Sequence, residues 1–309
     1  MFNPHSRNAL LLTGSALALA VGVSGCGASG SAAGTAPNTS AKDSASTGTA
    51  IAVDSKLHDA LPADVKTNGY LTLATDPTDP PLEFYGASND LIGSEVDLAN
   101  AIGQVLGVKI RLVPTKFDSI IPGIQSGRYD ASMSGFADRP ARQKVVDFVD
   151  YFTSSRGYLI KAGTQPGLAA ATDLCGMKVA VAKGTTMADS IVTQGAACVA
   201  KGKAAIDSQI YPDQSASVLA VQSARADLTI LSDHAALWIA KQSNGALDVV
   251  LKAQEGKDIN GIAIKKGALT EPIHQAIQKL MDDGTFQQIF TKWGLEKIML
   301  TKATVNAGV

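Results

Sequence analysis

Histidine occurs only four times in the 309 residues, at His5, His58, His234 and His274, and no cysteine and histidine set has the spacing of a metal site. Neither a Gly-x-Ser-x-Gly elbow nor a phosphate-cradling glycine loop is present, which counts against serine hydrolase and nucleotide-binding classes. Charge of one sign is also missing: the formal net charge is -1, so no basic excess points to nucleic acid and no acidic excess to a solvating tail. Long apolar runs are absent beyond Ala9 to Val23, which is too short and too rich in small residues for a membrane span. What remains is ordinary globular composition, 45% hydrophobic and 18% charged, with enough chain for two domains of about 150 residues. A small ligand suits such a chain better than a polymer.

His5 and Arg7 precede the apolar run, and the pattern predicts an export signal over residues 1–25. The run ends in Val23-Ser24-Gly25-Cys26, which resembles the lipobox of bacterial lipoproteins; Cys26 is then the acylated residue that anchors the chain to a membrane. The alternative is an ordinary cleavage site with an incidental cysteine. Residues 26–56 read as a tether, because Gly27 to Ala50 has almost no large apolar side chain with which to offset ordering entropy. As a flexible coil it spans on the order of 25 to 30 Å. Cys175 and Cys198 are an even pair in an exported chain and are expected to form a disulfide, the alternative being two buried thiols.

Along the rest of the chain the apolar period alternates. Tyr70 to Thr75 reads as a strand, Val96 to Leu106 as a helix stopped by Gly107, and Val108 to Val113 as a strand. A helix capped by Asp118, with Pro122 in its first turn, runs to Gly127, and Tyr129 to Phe136 reads as a strand. A second set follows: strand Lys178 to Ala182, a helix after Gly184, strand Gln209 to Tyr211, helix Ala216 to Ala224 and strand Leu228 to Leu231. Helices Glu271 to Asp283 and Phe286 to Trp293 close the chain. The order predicts two α/β units with largely parallel sheets facing a cleft.

The segment "PPLEFYGASNDLIGSEVDLANAIGQVLGVKIRLVPTKFDSIIPGIQSGRYDASMSGFADRPARQKVVDF" resembles the first lobe of the family 3 extracellular solute-binding proteins. The likeness continues through "VAVAKGTT", "QSARADLTILSD", "GIAIKKG" and "DDGTFQQIFTKWGL". It implies a two-lobed periplasmic-binding-protein-like fold of type II, with two hinge strands and a ligand cleft: lobe 1 over 57–157 plus 263–309, lobe 2 over 158–262. It also implies a monomeric, non-catalytic receptor that needs no cofactor or metal and delivers a free amino acid to an ABC permease. A dehydratase acting on a small carboxylate, or a sensory surface lipoprotein, are the alternatives.

By the same resemblance, Arg142 holds the ligand carboxylate, a task suited to the planar fork of a guanidinium. Backbone at Gly135 and Ala137 completes that grip from lobe 1, and Thr185 and Thr186 supply helix N-terminal donors from lobe 2. Asp233 is expected to receive the ammonium. Asp76, Asp79 and Phe117 line the side-chain pocket and favour a polar or basic ligand. Arg139 is expected to be a rim charge, and Trp293 to pack in lobe 1.

Overall fold

The computed structural model describes residues 51–164, 168, 174–250 and 257–309. The export signal, Cys26 and most of the expected tether lie outside them. The first lobe opens with α1 (Ser55–Asp59), α2 (Ala63–Asn68), β1 (Tyr70–Thr75), β2 (Thr78–Asp79), β3 (Glu83–Tyr85), β4 (Leu91–Ile92) and α3 (Ser94–Leu106). It continues through β5 (Lys109–Pro114), α4 (Phe117–Gln125), β6 (Ala131–Ser132), α5 (Pro140–Gln143) and β7 (Asp147–Ser154). The second lobe holds β8 (Arg156–Lys161), β9 (Lys178–Ala182), α6 (Thr186–Ala200), β10 (Asp207–Tyr211), α7 (Gln214–Gln222), β11 (Leu228–Ser232), α8 (Asp233–Gln242) and β12 (Leu247–Val250). The chain then returns to the first lobe with β13 (Asp258–Ile264), α9 (Thr270–Asp282), α10 (Thr285–Lys292) and β14 (Met299–Val305).

Each lobe is built on one mixed sheet. In the first, of order β14-β7-β13-β6-β1-β5, β1 runs parallel to β5 and β6, while β13 and β14 run antiparallel to β7. In the second, of order β10-β9-β11-β8-β12, the first three strands are parallel and β8 is antiparallel to both its neighbours. The expectation of largely parallel sheets therefore holds for only half of each. The antiparallel half contains β7 and β8, the strands on either side of the outward crossing between lobes. The crossing falls at Ser155, and the return precedes Asp258. Since all of β13 pairs in the first sheet, residues 258–262 belong to lobe 1, and Arg156 and Gly157 already pair in the second sheet.

Packing of apolar stripes fixes these layers. Ile273, Ala276, Ile277 and Leu280 recur on one face of α9 and are buried against α3 and the first sheet. Helix α3 is enclosed on several sides, with ten of its thirteen residues buried, and Gly107 ends it in a left-handed conformation at φ 67°. In β9, Val179 and Val181 face one cluster while Ala180 faces another, the two-residue period of a strand covered on both sides. The tether is shorter than expected: Ile51 packs on the core, Asp54 caps α1 and pairs with Lys279 at 2.7 Å, and Leu57 is buried.

Two further expectations change. Asp118 is not the cap of α4, which begins at Phe117; it sits in the first turn and pairs with Lys183 at 2.8 Å, and Pro122 lies inside the helix. The strand expected over 129–136 shrinks to Ala131–Ser132, because Gly135 turns into the left-handed region at φ 57°. Cys175 and Cys198 form the disulfide, which ties the segment before β9 to α6.

Candidate functional site

Where the lobes meet, a cavity of about 50 Å³ is lined from both sides. The first lobe and β13 contribute Asp76, Thr78, Asp79, Glu83, Phe117, Ser134, Gly135, Ala137, Arg142, Ser154, Asp258 and Asn260. The second contributes Ala182, Thr185, Thr186, Met187, Gln214 and Ser232. All the charged side chains in this lining stand on first-lobe elements. The lobes are in contact through the Lys183–Asp118 pair, the bond from Gln214 Nε2 to Thr78 O at 3.3 Å, and the ring of Trp238 against Phe84 at 5.7 Å.

Arg142 is the third residue of the four-residue helix α5, at the seam. One Nη donates to Ala137 O at 2.8 Å and the other to Gly184 O of the opposite lobe at 3.0 Å. Its Cζ lies 5.2 Å from the centre of the Phe136 ring, which stacks on Phe117 at 4.3 Å. Burial, with Arg139 nearby, lowers its pKa to about 10, against the opposing pull of Asp189, Asp258 and Asp138. The guanidinium is thus half desolvated with only carbonyls as hydrogen-bond partners, an arrangement that an incoming anion would complete.

The same cavity is lined by a group of buried carboxyls. Asp76 accepts from Thr78 Oγ1 and Phe117 N, both at 3.0 Å, yet burial raises its pKa to about 6. Asp79 is also raised by burial, partly offset by His234, whose Nε2 is 4.0 Å away across the lobes; Asp79 Oδ1 has no hydrogen-bond donor. Below them Glu83 and Glu95 interact directly, with Ser134 Oγ donating to Glu83 and Tyr151 Oη to Glu95. Burial and the charge of Glu95 push Glu83 well above the carboxylate range, so this pair shares a proton with Glu83 as its holder. A side chain at Gly135 would reach 2.6 Å from Asp79 Oδ2, so glycine is required there by space as well as by φ.

The cavity brings together Asp76, Asp79, Phe117, Gly135, Ala137, Arg142, Thr185 and Thr186. Three details depart from expectation. Asp233 does not line this cavity; the first residue of α8, it accepts from Ser155 N and His234 N, and Ser232 takes the place in the lining. Asp233 stands one position past the end of β11, and its carboxylate faces Ser155 at the crossing between lobes. The Gly135 N–H is donated to Glu95 Oε2 at 3.1 Å and so serves the buried pair. Arg139 is no rim charge: it pairs with Asp258 and donates to Val309 O.

Sequence reasoning missed Glu83, Glu95, Gln214, Asp258 and Asn260. A signal existed for one of them: Glu95 falls on the same helical stripe as Leu98, Ala99 and Ile102, where an acid is out of place. Among the described residues, no group of three His, Cys, Asp or Glu side chains is placed to hold a metal ion.

The raised carboxyls carry a pH signature. Asp76 and Asp150 at about 6 and Glu95 at about 7 bind protons more tightly folded than unfolded, so their stabilising effect is full below about pH 4 and is lost as pH rises through 6 to 7. Asp54 and Asp118, held low by Lys279 and Lys183, keep their stabilising effect throughout this window and lose it only in stronger acid, as pH falls through their folded values. Calorimetry of the unliganded protein should show Tm falling by roughly 5 °C between pH 5 and pH 8, with Glu95→Gln reducing the fall. A Tm that is flat or rises over that range would contradict the shared-proton assignment.

Comparison with known proteins agrees with this architecture. The sequence model of the bacterial extracellular solute-binding proteins, family 3, matches residues 71–296. The arginine-binding protein ArgT of Corynebacterium glutamicum is 31% identical over 257 residues, 80% of this chain and 81% of that protein. The L-cystine-binding protein TcyJ of Escherichia coli is 29% identical over 246 residues, 79% of this chain and 89% of that protein. Among solved structures, an ancestral arginine-binding protein bound to glutamine superposes with TM-score 0.68 at 32% identity, covering 74% of this chain and 99% of that one. The ancestral amino-acid-binding protein AncCDT-1, a precursor of cyclohexadienyl dehydratase, gives 0.65 at 29% identity, covering 74% and 97%. With two lobes, a strand hinge and a charged cleft between them, the chain belongs to the bacterial extracellular solute-binding proteins, family 3.

Proposed function

We propose that this protein is the receptor of an ABC importer, binding a free amino acid between its lobes and delivering it to the permease. The observation that carries the reading is the charge of the cavity lining: one half-buried guanidinium, Arg142, together with the buried carboxyls of Asp76, Asp79 and Glu83, the complement of a zwitterion. Arg142 takes the ligand carboxylate. With Asp233 outside the cavity lining, the ammonium finds its acceptors in Asp76 and Asp79, both on first-lobe elements. The uncommitted Asp79 oxygen favours a polar or basic ligand side chain, since an unpaired buried carboxylate is costly. Relatives named for arginine and cystine support that class.

The protein acts as a monomer and does not catalyse a reaction on its ligand; the family description as extracellular accords with export. Attachment to the membrane is through Cys26. Cys26→Ser should release the protein from the membrane fraction while leaving its Tm unchanged, and retention equal to wild type would remove the anchor from the account.

A thermal-shift screen over the common amino acids identifies the ligand, and calorimetry of Arg142 variants tests the site. Arg142→Ala should weaken binding by roughly 2 to 5 kcal/mol, because truncation leaves a desolvated carboxylate without its partner, and Arg142→Lys should recover only part of that loss. Wild-type affinity in Arg142→Ala, or conversion of prephenate or arogenate to product by the wild-type protein, would refute the proposal.

A further inference from the structure

The loop that presents Arg142 is held from two sides, and one of them lies beyond the family match, which ends at residue 296. On the hinge side, Asp138 N donates to Ile259 O at 2.8 Å and Arg139 pairs with Asp258, tying the loop to β13. On the far side the chain past β14 turns back over it. Asn306 anchors the turn, its Oδ1 accepting from Phe148 N at 2.8 Å and its own N donating to Phe148 O at 3.1 Å. Gly308 N then donates to Asp138 Oδ2 at 2.7 Å, and Gly308 O accepts from Gln143 Nε2 at 3.0 Å. The same Gln143 nitrogen donates to Asp138 Oδ1 at 2.9 Å, and Val309 O accepts from Arg139 at 2.8 Å. Contact is closest at Gly308, where a Cβ would stand 2.2 Å from Asp138 O, a backbone atom with little freedom to move.

Helix α5 needs such support. It has four residues, no side-chain cap at its N-terminus and no buried residue of its own, so it has almost no intrinsic stability. A guanidinium on so weak an element would swing out to water, where it is better solvated, unless the element is fixed. The tail bonds reach Arg139 and Gln143, on either side of Arg142 in sequence, and Asp138 just before them.

We propose that residues 306–309 are a positioning strap for the ligand-binding arginine: they touch no ligand and set affinity by holding α5 in place. This rests on Arg142 as the carboxylate anchor. Preorganisation of this kind raises affinity by removing an ordering cost from the binding step.

Gly308→Ala pushes the tail off, and Gln143→Ala removes the link from the loop side. In both variants, hydrogen exchange of the amides of residues 138–146 should accelerate while that of β9 is unchanged. The Kd measured by calorimetry, with whichever of L-arginine, L-lysine, L-glutamine and L-cystine binds the wild type, should rise about tenfold, the order expected for one or two lost bonds to charged groups. In an Arg142→Lys background the further loss from Gly308→Ala should shrink to under about twofold, since there is no fork left to position. Unchanged exchange in 138–146, faster exchange with unchanged Kd, or the same tenfold loss in the Arg142→Lys background would each overturn the strap. Should exchange in β9 also rise in Gly308→Ala, Gln143→Ala decides. If none of the four amino acids binds the wild type, the receptor reading is what fails, and the exchange data alone decide whether the tail holds α5.

Discussion

A half-buried positive charge with only carbonyl hydrogen-bond partners is the constraint around which this cleft is arranged. Arg142 reaches Ala137 O on its own lobe and Gly184 O on the other, and neither neutralises it. Of the acids whose charge acts on it, Asp138 is bonded to Gln143 and Gly308, Asp258 is paired with Arg139, and Asp189 stands on α6 of the second lobe. A partly desolvated ion in such surroundings is costly, and an anion that enters and pairs with it offsets that cost. Because the guanidinium also bonds Gly184 O of the second lobe, such an anion would sit where the two lobes meet.

The group of buried carboxyls works by the same logic with the sign reversed. Glu83 and Glu95 cannot both ionise at close range away from water, so they hold a proton between them, and Tyr151 and Ser134 supply further donors. Asp79, above that pair, is left with an oxygen that nothing satisfies among the described residues and with His234 of the second lobe a little beyond bonding distance. The two lobes contribute unequally. The first carries the charges, and the second closes the cavity with neutral groups from Thr185, Gln214 and Ser232. The charged groups of the cavity therefore belong to the first lobe, and the second adds neutral polar groups.

Much of this was legible in the sequence because the elements are regular where packing is regular. The strands Tyr70–Thr75 and Lys178–Ala182 have the bounds that their apolar pattern predicts, since both are buried in the middle of sheets. Legibility failed where the chain is irregular. The segment 129–136 alternates like a strand, but Gly135 bends it toward Asp79 and only two residues pair. Asp233, expected to receive the ammonium, is the first residue of α8 and accepts from Ser155 N at the crossing between lobes, a position that the local sequence does not mark. Asp258 and Asn260 could not be assigned to the site from sequence, because their place depends on the return crossing from the second lobe. The tail contacts to Asp138, Arg139 and Gln143 span about 170 positions and leave no local trace.

The central claim is that the cleft reads a carboxylate through Arg142. Its most direct test is a calorimetric comparison of the best-binding amino acid with its α-carboxamide, which keeps the shape and the ammonium and removes the negative charge. The account predicts a loss of about a hundredfold or more for the carboxamide in the wild type, and little difference between the two ligands in Arg142→Ala. Equal affinities for acid and amide in the wild type would contradict it.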